Sequence, residues 1–417
     1  MHANSAKHLR PFKPSPNHSS MRIRRFSEPF FESLIKISGY STGFIVLLIV
    51  IFLFKEGISF FNLSPIEDGS TLWVHQTNPV KELSAADIKD IFDQKITNWK
   101  TVGGNDQPIT LLTFDELGEA FTEEQLGPKF ERIPYCIDSY IDSLPGTIGF
   151  FPAKQTVGLL KSAQQVKVDK VSFWKFVSDT EWFPTSRPAA RMGVLPLLLG
   201  TLMVSFFAII FALPLGLAAA IYLAEIADER IRRILKPVIE LLAGIPSVVY
   251  GFFGLVVIVP FVQSAFNLPV GETALAGSVV LAIMALPTII TVSEDALRTT
   301  PRAMKEASLA LGASQWQTIR KVVVPYAASG ITAAAILGIG RAIGETMAAL
   351  MVTGNSAIMP HSLLQPVRTI PATIAAELGE APFGGLHFKA LFALGCLLFI
   401  ITLTINLLVE RVSTKRG

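Results

Sequence analysis

In the stretch GRAIGETMAALMVTGN, Gly340–Asn355, an arginine and a glutamate stand four residues apart in an otherwise apolar run. A guanidinium is permanently charged, planar and able to hold two oxygens of one oxyanion at once. Placing it at mid-bilayer costs roughly 2.5 to 3.5 kcal/mol, so an arginine kept there faces a protein interior or an aqueous cavity and pairs with something. A helix through this stretch puts Arg341 and Glu345 on one face, because residues i and i+4 are neighbours. Two readings stay open on that spacing. The pair is a structural lock between helices, or it is an anion site with Thr346 beside it, where Glu345 balances Arg341 when the site is empty. Gly340 and Gly344 also have the GxxxG spacing that lets membrane helices approach closely.

Two further stretches carry residues of the right kind for function. In ELLAGIPSVVYGFFGL, Glu240–Leu255, Gly244 and Pro246 interrupt an apolar run, with Ser247 and Tyr250 following. A helix broken there frees backbone groups to line a cavity, and a kinked packing helix is the plainer alternative. In EASLALGASQWQTIRKVVVP, Glu306–Pro325, a short amphipathic helix precedes a bend at Gly312. Such an element can seat in a groove on a partner and pass that partner's rigid-body motion to attached helices, whereas a plain charge run is usually a solvated face.

These stretches must be positioned by membrane helices. The chain has 417 residues, 50% hydrophobic and 17% charged, more apolar surface than one soluble core uses. Apolar runs long enough to cross a hydrocarbon core lie near 34–54, 193–224, 238–262, 274–293, 326–353 and 390–409, which predicts six helices. Lys and Arg concentrate in alternate connections: Lys7, Arg10, Lys13, Arg22, Arg24, Arg25 and Lys36 first, then Arg230, Arg232, Arg233 and Lys236, then Arg298, Arg302, Lys305, Arg320 and Lys321, and Arg411, Lys415 and Arg416 last. The positive-inside rule puts both termini in the cytoplasm. Phe54-Lys55-Glu56 after the first run offers no small-residue cleavage site, so that run reads as an uncleaved anchor. Cys136 and Cys396 fall in opposite compartments under this topology, cannot pair, and motivate no metal or redox role. A net charge of +3 gives no ground for a nucleic-acid partner.

Residues 57–190 break the membrane pattern, with charges of both signs and turn dipeptides, and predict a small soluble α/β insertion outside the cytoplasm. Ser84 and Asp87 begin a helix through Phe92 as a capping box, Gly103-Gly104-Asn105-Asp106 is a turn, and Ile109–Phe114 and Thr147–Phe151 read as strands. No Gly-rich loop ending in Gly-Lys-Ser/Thr occurs, so nucleotide hydrolysis is not expected of this chain, nor any cofactor or metal.

The loop Glu306–Pro325 resembles the EAA loop of ABC importer permeases, with Glu306, Ala307, Gly312 and Pro325 in register over twenty positions. RAIGETMAALMVTGN and GIPSVVYG resemble segments of phosphate ABC importer permeases, of the PstC kind rather than the PstA kind, since Met347-Ala348 stands where PstA-type chains have Ala-Pro. This resemblance implies an α-helical membrane protein with the six-helix type I permease fold, half of a phosphate pore. It implies that Arg341, Glu345 and Thr346 act in translocation; carboxylate chemistry separately makes Glu345 the candidate acceptor of the proton that hydrogen phosphate carries and sulphate lacks. Gly244, Pro246, Ser247 and Tyr250 are the candidates for lining the pathway. Glu306, Ala307, Gly312 and Pro325 are those for coupling to an ATPase. Implied partners are a PstA-like permease subunit, a cytoplasmic PstB-like ATPase dimer, an extracytoplasmic PstS-like binding protein and membrane lipid. A permease for sulphate or molybdate, and a membrane-anchored phosphate sensor, are the alternative readings.

NPVKELSAADIKDIFDQKITNWKTVGGNDQPI, Asn78–Ile109, and LPGTIGFFPA, Leu144–Ala153, resemble parts of periplasmic phosphate-binding proteins, and imply a fragment of one lobe inserted in the permease. Such proteins normally follow this strand with an Arg and a Ser-Gly-Thr turn. Here Asp115, Glu116, Glu119, Glu123 and Glu124 stand instead, and acids repel an anion, so tight phosphate binding by the insertion is not expected. The expected division is a basic cytoplasmic N-terminus at 1–33, a first transmembrane helix at 34–56, the insertion at 57–170, and a five-helix permease core at 171–417 holding the EAA loop at 294–325.

Overall fold

The computed structural model describes residues 18–66, 69–127, 130–156 and 158–414, with backbone alone at 18–30, 115, 409 and 412–414. Lys7, Arg10, Lys13, Lys415 and Arg416, and the side chains of Arg22, Arg24, Arg25 and Asp115, lie outside the described residues. The chain divides into two compact units, Met1–Phe54 and Lys55–Gly417. The first is built on helix α1, His18–Ser59, whose apolar side chains from Phe31 to Phe52 are exposed around the helix. A helix apolar all round suits lipid.

In the second unit, a five-stranded sheet contains β1 (Ser70–His75), β2 (Glu82–Leu83), β3 (Thr110–Leu112), β4 (Thr147–Pro152) and β5 (Ala163–Val168) in the order β2-β5-β1-β4-β3. β1 is antiparallel to both β4 and β5, while the edge strands β2 and β3 run parallel to β5 and β4. Helix α2, Ala85–Phe92, begins at the Ser84–Asp87 capping box read from sequence. Ile88, Ile91 and Trp99 are buried against Leu72, Val74, Ile148 and Val166, and the Trp99 ring N–H donates to the Gly146 carbonyl at 2.8 Å. Residue types carry one strand two residues too far: β3 stops at Leu112, and Phe114 opens helix α3 (Phe114–Ala120), because Thr113 and Glu116 form a capping box that starts a helix there. On the other face lies α4, Ile133–Ser143.

The chain then forms α5 (Phe173–Ser178) and a short hairpin of β6 (Trp182–Phe183) and β7 (Arg191–Met192). Arg191 donates to Asp90 of α2 at 2.9 Å and to Glu181 at 3.0 Å, which ties the insertion to this hairpin.

Among the described residues, helices at Phe31–Asn62, Leu195–Ile226, Ser247–Phe266, Ala274–Arg298 and Leu386–Leu408 are long and apolar enough to cross a membrane. A sixth arises if Gln315–Tyr326 and Ala328–Gly344, bent by 70°, make one span. Two predicted runs are redrawn. The run at 238–262 divides into α7 (Glu229–Ala243), with no buried residue, and α8 (Ser247–Phe253) continuing through a π-helical turn into α9 (Val259–Phe266). Arginines at 230, 232 and 233 make α7 too polar to span, and Pro246 starts a new helix. The run at 326–353 also divides, into α13 and α14 below.

Helix α10, Ala274–Arg298, is the most buried span and packs on α6, Leu195–Ile221. Glycines set that closeness: a Cβ on Gly216 would lie 2.7 Å from Ile289 Cγ2. After α10 come α11 (Arg302–Ala310), α12 (Gln315–Thr318), α13 (Ala328–Gly344), α14 (Met347–Val352), α15 (Ile370–Glu377) and α16 (Leu386–Thr414). The segment 354–389 is not a plain surface loop. Val367, Ile370, Ala372 and Thr373 are buried, and Ile370 N–H donates to Thr201 Oγ1 of α6 at 2.9 Å.

Candidate functional site

Arg341 lies in the last turn of α13. Its reach follows from how α13 crosses α10. Gly338 has no side chain, and a Cβ there would sit 2.9 Å from Ile289 Cδ1, so the two backbones come together one turn before the arginine. Thr288 precedes Ile289, and Arg341 Nη1 donates to Thr288 Oγ1 at 3.3 Å. Pro287, buried just before Thr288, cannot donate to the carbonyl one turn back, which adds a free polar group to this part of α10.

The expected Arg341–Glu345 pair does not form. Helix α13 ends at Gly344, and Glu345 adopts extended backbone at φ −72°, ψ 125°, so the i,i+4 relation is lost. Glu345 turns the other way and accepts from Ala348 N–H at 3.4 Å, at the start of α14. Thr346 sits in the break, its hydroxyl donating to the Gly344 carbonyl at 3.3 Å. Among the described residues no carboxylate comes within ion-pairing distance of Arg341, which is half-buried. The lock reading therefore loses its partner. Gly340 and Gly344 do not pack either, since a Cβ on either would meet nothing within 4 Å.

The second break stands next to the first. Gly251 of α8 faces α14 so tightly that a Cβ would lie 2.8 Å from Met351 Sδ and 3.1 Å from Ala348 Cα. Tyr250 is buried, and its hydroxyl donates to the Leu242 carbonyl at 2.8 Å, spanning the Gly244–Pro246 break from α8 back to α7. The structure thus brings Tyr250, Arg341, Glu345 and Thr346 to neighbouring helix ends. Gly244 and Pro246 are exposed and Ser247 half-buried, and no hydrogen bond joins these three to Arg341.

The coupling candidates form a separate surface. Glu306 and Ala307 are exposed on α11; Gly312 has φ +83°, a left-handed turn that glycine makes without strain; Pro325 is exposed just before α13. Ser308 and Thr318 hydroxyls share a hydrogen bond of 2.9 Å that closes α11 on α12. Leu311 and Trp316 are 90% and 61% exposed, an apolar surface at the tip of the loop. From Ala328 to Arg341 the helix rises roughly 20 Å at 1.5 Å per residue, beyond the 70° bend that separates it from Gln315–Tyr326.

Sequence reading missed three groups. Thr288 is 53 positions from its partner, and nothing in its local pattern marks it. Glu294, side chain 1% exposed, binds Lys236 at 2.7 Å and Arg232 at 2.8 Å, two cations read only as topology signals. Glu377 of α15 accepts from His387 at 2.8 Å, Arg368 at 2.8 Å and the Trp182 ring N–H at 3.1 Å. Burial pushes the Glu377 carboxyl up, but the His387 hydrogen bond and the Arg368 charge outweigh it and hold it below the usual range.

Residues 212–416 match the family described as binding-protein-dependent transport system inner membrane component, and residues 55–131 match the PBP superfamily domain. A probable ABC transporter permease protein YqgH of Bacillus subtilis is 40% identical over 257 residues, 62% of this chain and 83% of the relative. The phosphate transport system permease protein PstC of Mesorhizobium japonicum is 38% identical over 251 residues, covering 56% and 76%, and that of Haemophilus influenzae 38% over 259 residues, covering 58% and 81%. With its helical, multi-span architecture and α/β insertion, the chain belongs to the family of binding-protein-dependent ABC permeases that includes PstC, and is a transport component rather than an enzyme.

Proposed function

We propose that this chain is one permease half of an ATP-driven importer of inorganic phosphate, with Arg341 as the cation that meets the ion within the membrane. The observation that carries the reading is an arginine in a span whose guanidinium touches a hydroxyl, Thr288, and, among the described residues, no carboxylate, beside two helix breaks. A cation left with a neutral partner keeps its charge for an arriving anion. Tyr250, Thr346 and Glu345 surround its approach, and Ser247, Gly244 and Pro246 continue the line of the pathway. Glu345, turned away from Arg341, is placed to take the proton of hydrogen phosphate without cancelling the arginine.

Glu306, Ala307, Gly312 and Pro325 form the surface for a PstB-like ATPase pair, a PstA-like chain supplies the other half of the pore, and a PstS-like receptor delivers phosphate. Both termini and the 294–325 loop lie in the cytoplasm and the 57–170 insertion outside it, following the Lys/Arg bias of the connections. The chain needs no cofactor of its own. Labelled phosphate uptake into vesicles holding all four components tests the reading: ATP-dependent uptake resistant to excess sulphate and molybdate is expected. Competition by either at equal concentration overturns the assignment of phosphate.

A further inference from the structure

We propose that Glu294 is a positioning residue, which clamps α7 to the end of α10 so that movement of the 294–325 loop is delivered to the Gly244–Pro246 break. This rests on the reading of that loop as the ATPase-coupling surface. Glu294 lies one turn before the end of α10, with its carboxylate buried. Arg232 and Lys236, i and i+4 on α7, meet it at 2.8 and 2.7 Å, Arg298 adds a third cation at 3.6 Å, and Lys236 also reaches Asp295 at 3.0 Å. No residue of α7 is buried, so these ion pairs, rather than an apolar seam, fix it to α10.

The π-helical turn Tyr222–Ile226, which leads from α6 into α7, is held by the same loop. Lys305 of α11 pairs with Glu225 at 2.5 Å, and Gln315 of α12 donates to the Glu225 carbonyl at 3.0 Å. Loop, α10 end and α7 therefore form one frame, which runs on past Pro237 inside α7 to the Gly244–Pro246 break, where the Tyr250 hydroxyl reaches back to the Leu242 carbonyl. The Ser293 and Thr300 hydroxyls, buried at this joint without a hydrogen-bond partner, are free to pair in a second arrangement of the frame.

The test measures phosphate uptake and ATP hydrolysis together in vesicles holding the complete complex. With Glu294→Gln, and separately with Arg232→Gln/Lys236→Gln, phosphate moved per ATP is expected to fall at least tenfold while hydrolysis stays within about twofold, and Glu294→Asp is expected to restore part of the ratio. A clamp that only stabilises the fold lowers both rates together and leaves the ratio unchanged, which overturns the proposal. Should Glu294→Gln not assemble, the α7 double variant, on a helix with no buried residue, decides alone. Wild-type complex that hydrolyses ATP but moves no phosphate overturns the phosphate reading, whereas normal wild-type transport with an unchanged ratio in the variants overturns only the clamp.

Discussion

The proposed phosphate site turns on what Arg341 touches. Its contact with Thr288 is neutral, so the guanidinium keeps its charge, and a forked donor suits a tetrahedral oxyanion better than a point charge does. Arg341→Lys should therefore assemble normally yet lose at least tenfold in uptake, and Thr288→Val, which keeps shape and removes the hydroxyl, should raise the phosphate KM more than it lowers the maximal rate. Initial rates in vesicles check both. Away from the membrane, Glu377 contributes stability through its depressed carboxyl. That contribution is complete above the unfolded value of about 4.3 and is lost as pH falls through the lower folded value. Thermal melts should show wild type losing more than Glu377→Gln between pH 7 and pH 3. Arg341 was legible in the sequence because a cation in an apolar run must have a reason. Thr288 was not, since only the Gly338–Ile289 crossing brings it near.

At the scale of elements, two helix breaks bound the proposed site, and they differ in how plainly the residues announce them. Gly244 and Pro246 mark the first by the loss of an N–H and the freedom of a glycine. The second carries a subtler signal: Gly344 after the last turn, then Thr346 at the start of the next helix, a stop and a start set back to back. Periodicity ran through both, because apolar residues flank each break on either side. The close packing of α8 on α14 depends on Gly251, so Gly251→Val should drive two methyls into Met351 and Ala348 and destabilise the detergent-solubilised protein by about 1 to 3 kcal/mol. Gly312→Ala, at φ +83° in open space, should cost about 1 to 2 kcal/mol in the coupling turn and weaken ATPase binding without disturbing the membrane helices. Differential scanning and pull-down of the ATPase separate the two effects.

For the molecule as a whole, the insertion is the part least explained by transport. The capping box at Ser84 and strand β4 were readable from short patterns, whereas β1 and β5, which supply the middle of the sheet, pair across some ninety positions and gave no local cue. One of its acids serves the fold: Glu116 accepts from the Thr113 N–H at 2.8 Å to start α3. Removing residues 65–165 is expected to leave phosphate uptake in place, and loss of uptake with normal membrane insertion would assign the lobe a part in transport. The edges of its sheet bear on a different question. β2 and β3 offer two and three residues of open backbone, too little to template another chain. A PBP-like fragment carried on a membrane protein thus stays free of strand-to-strand aggregation at the crowded densities of a membrane surface.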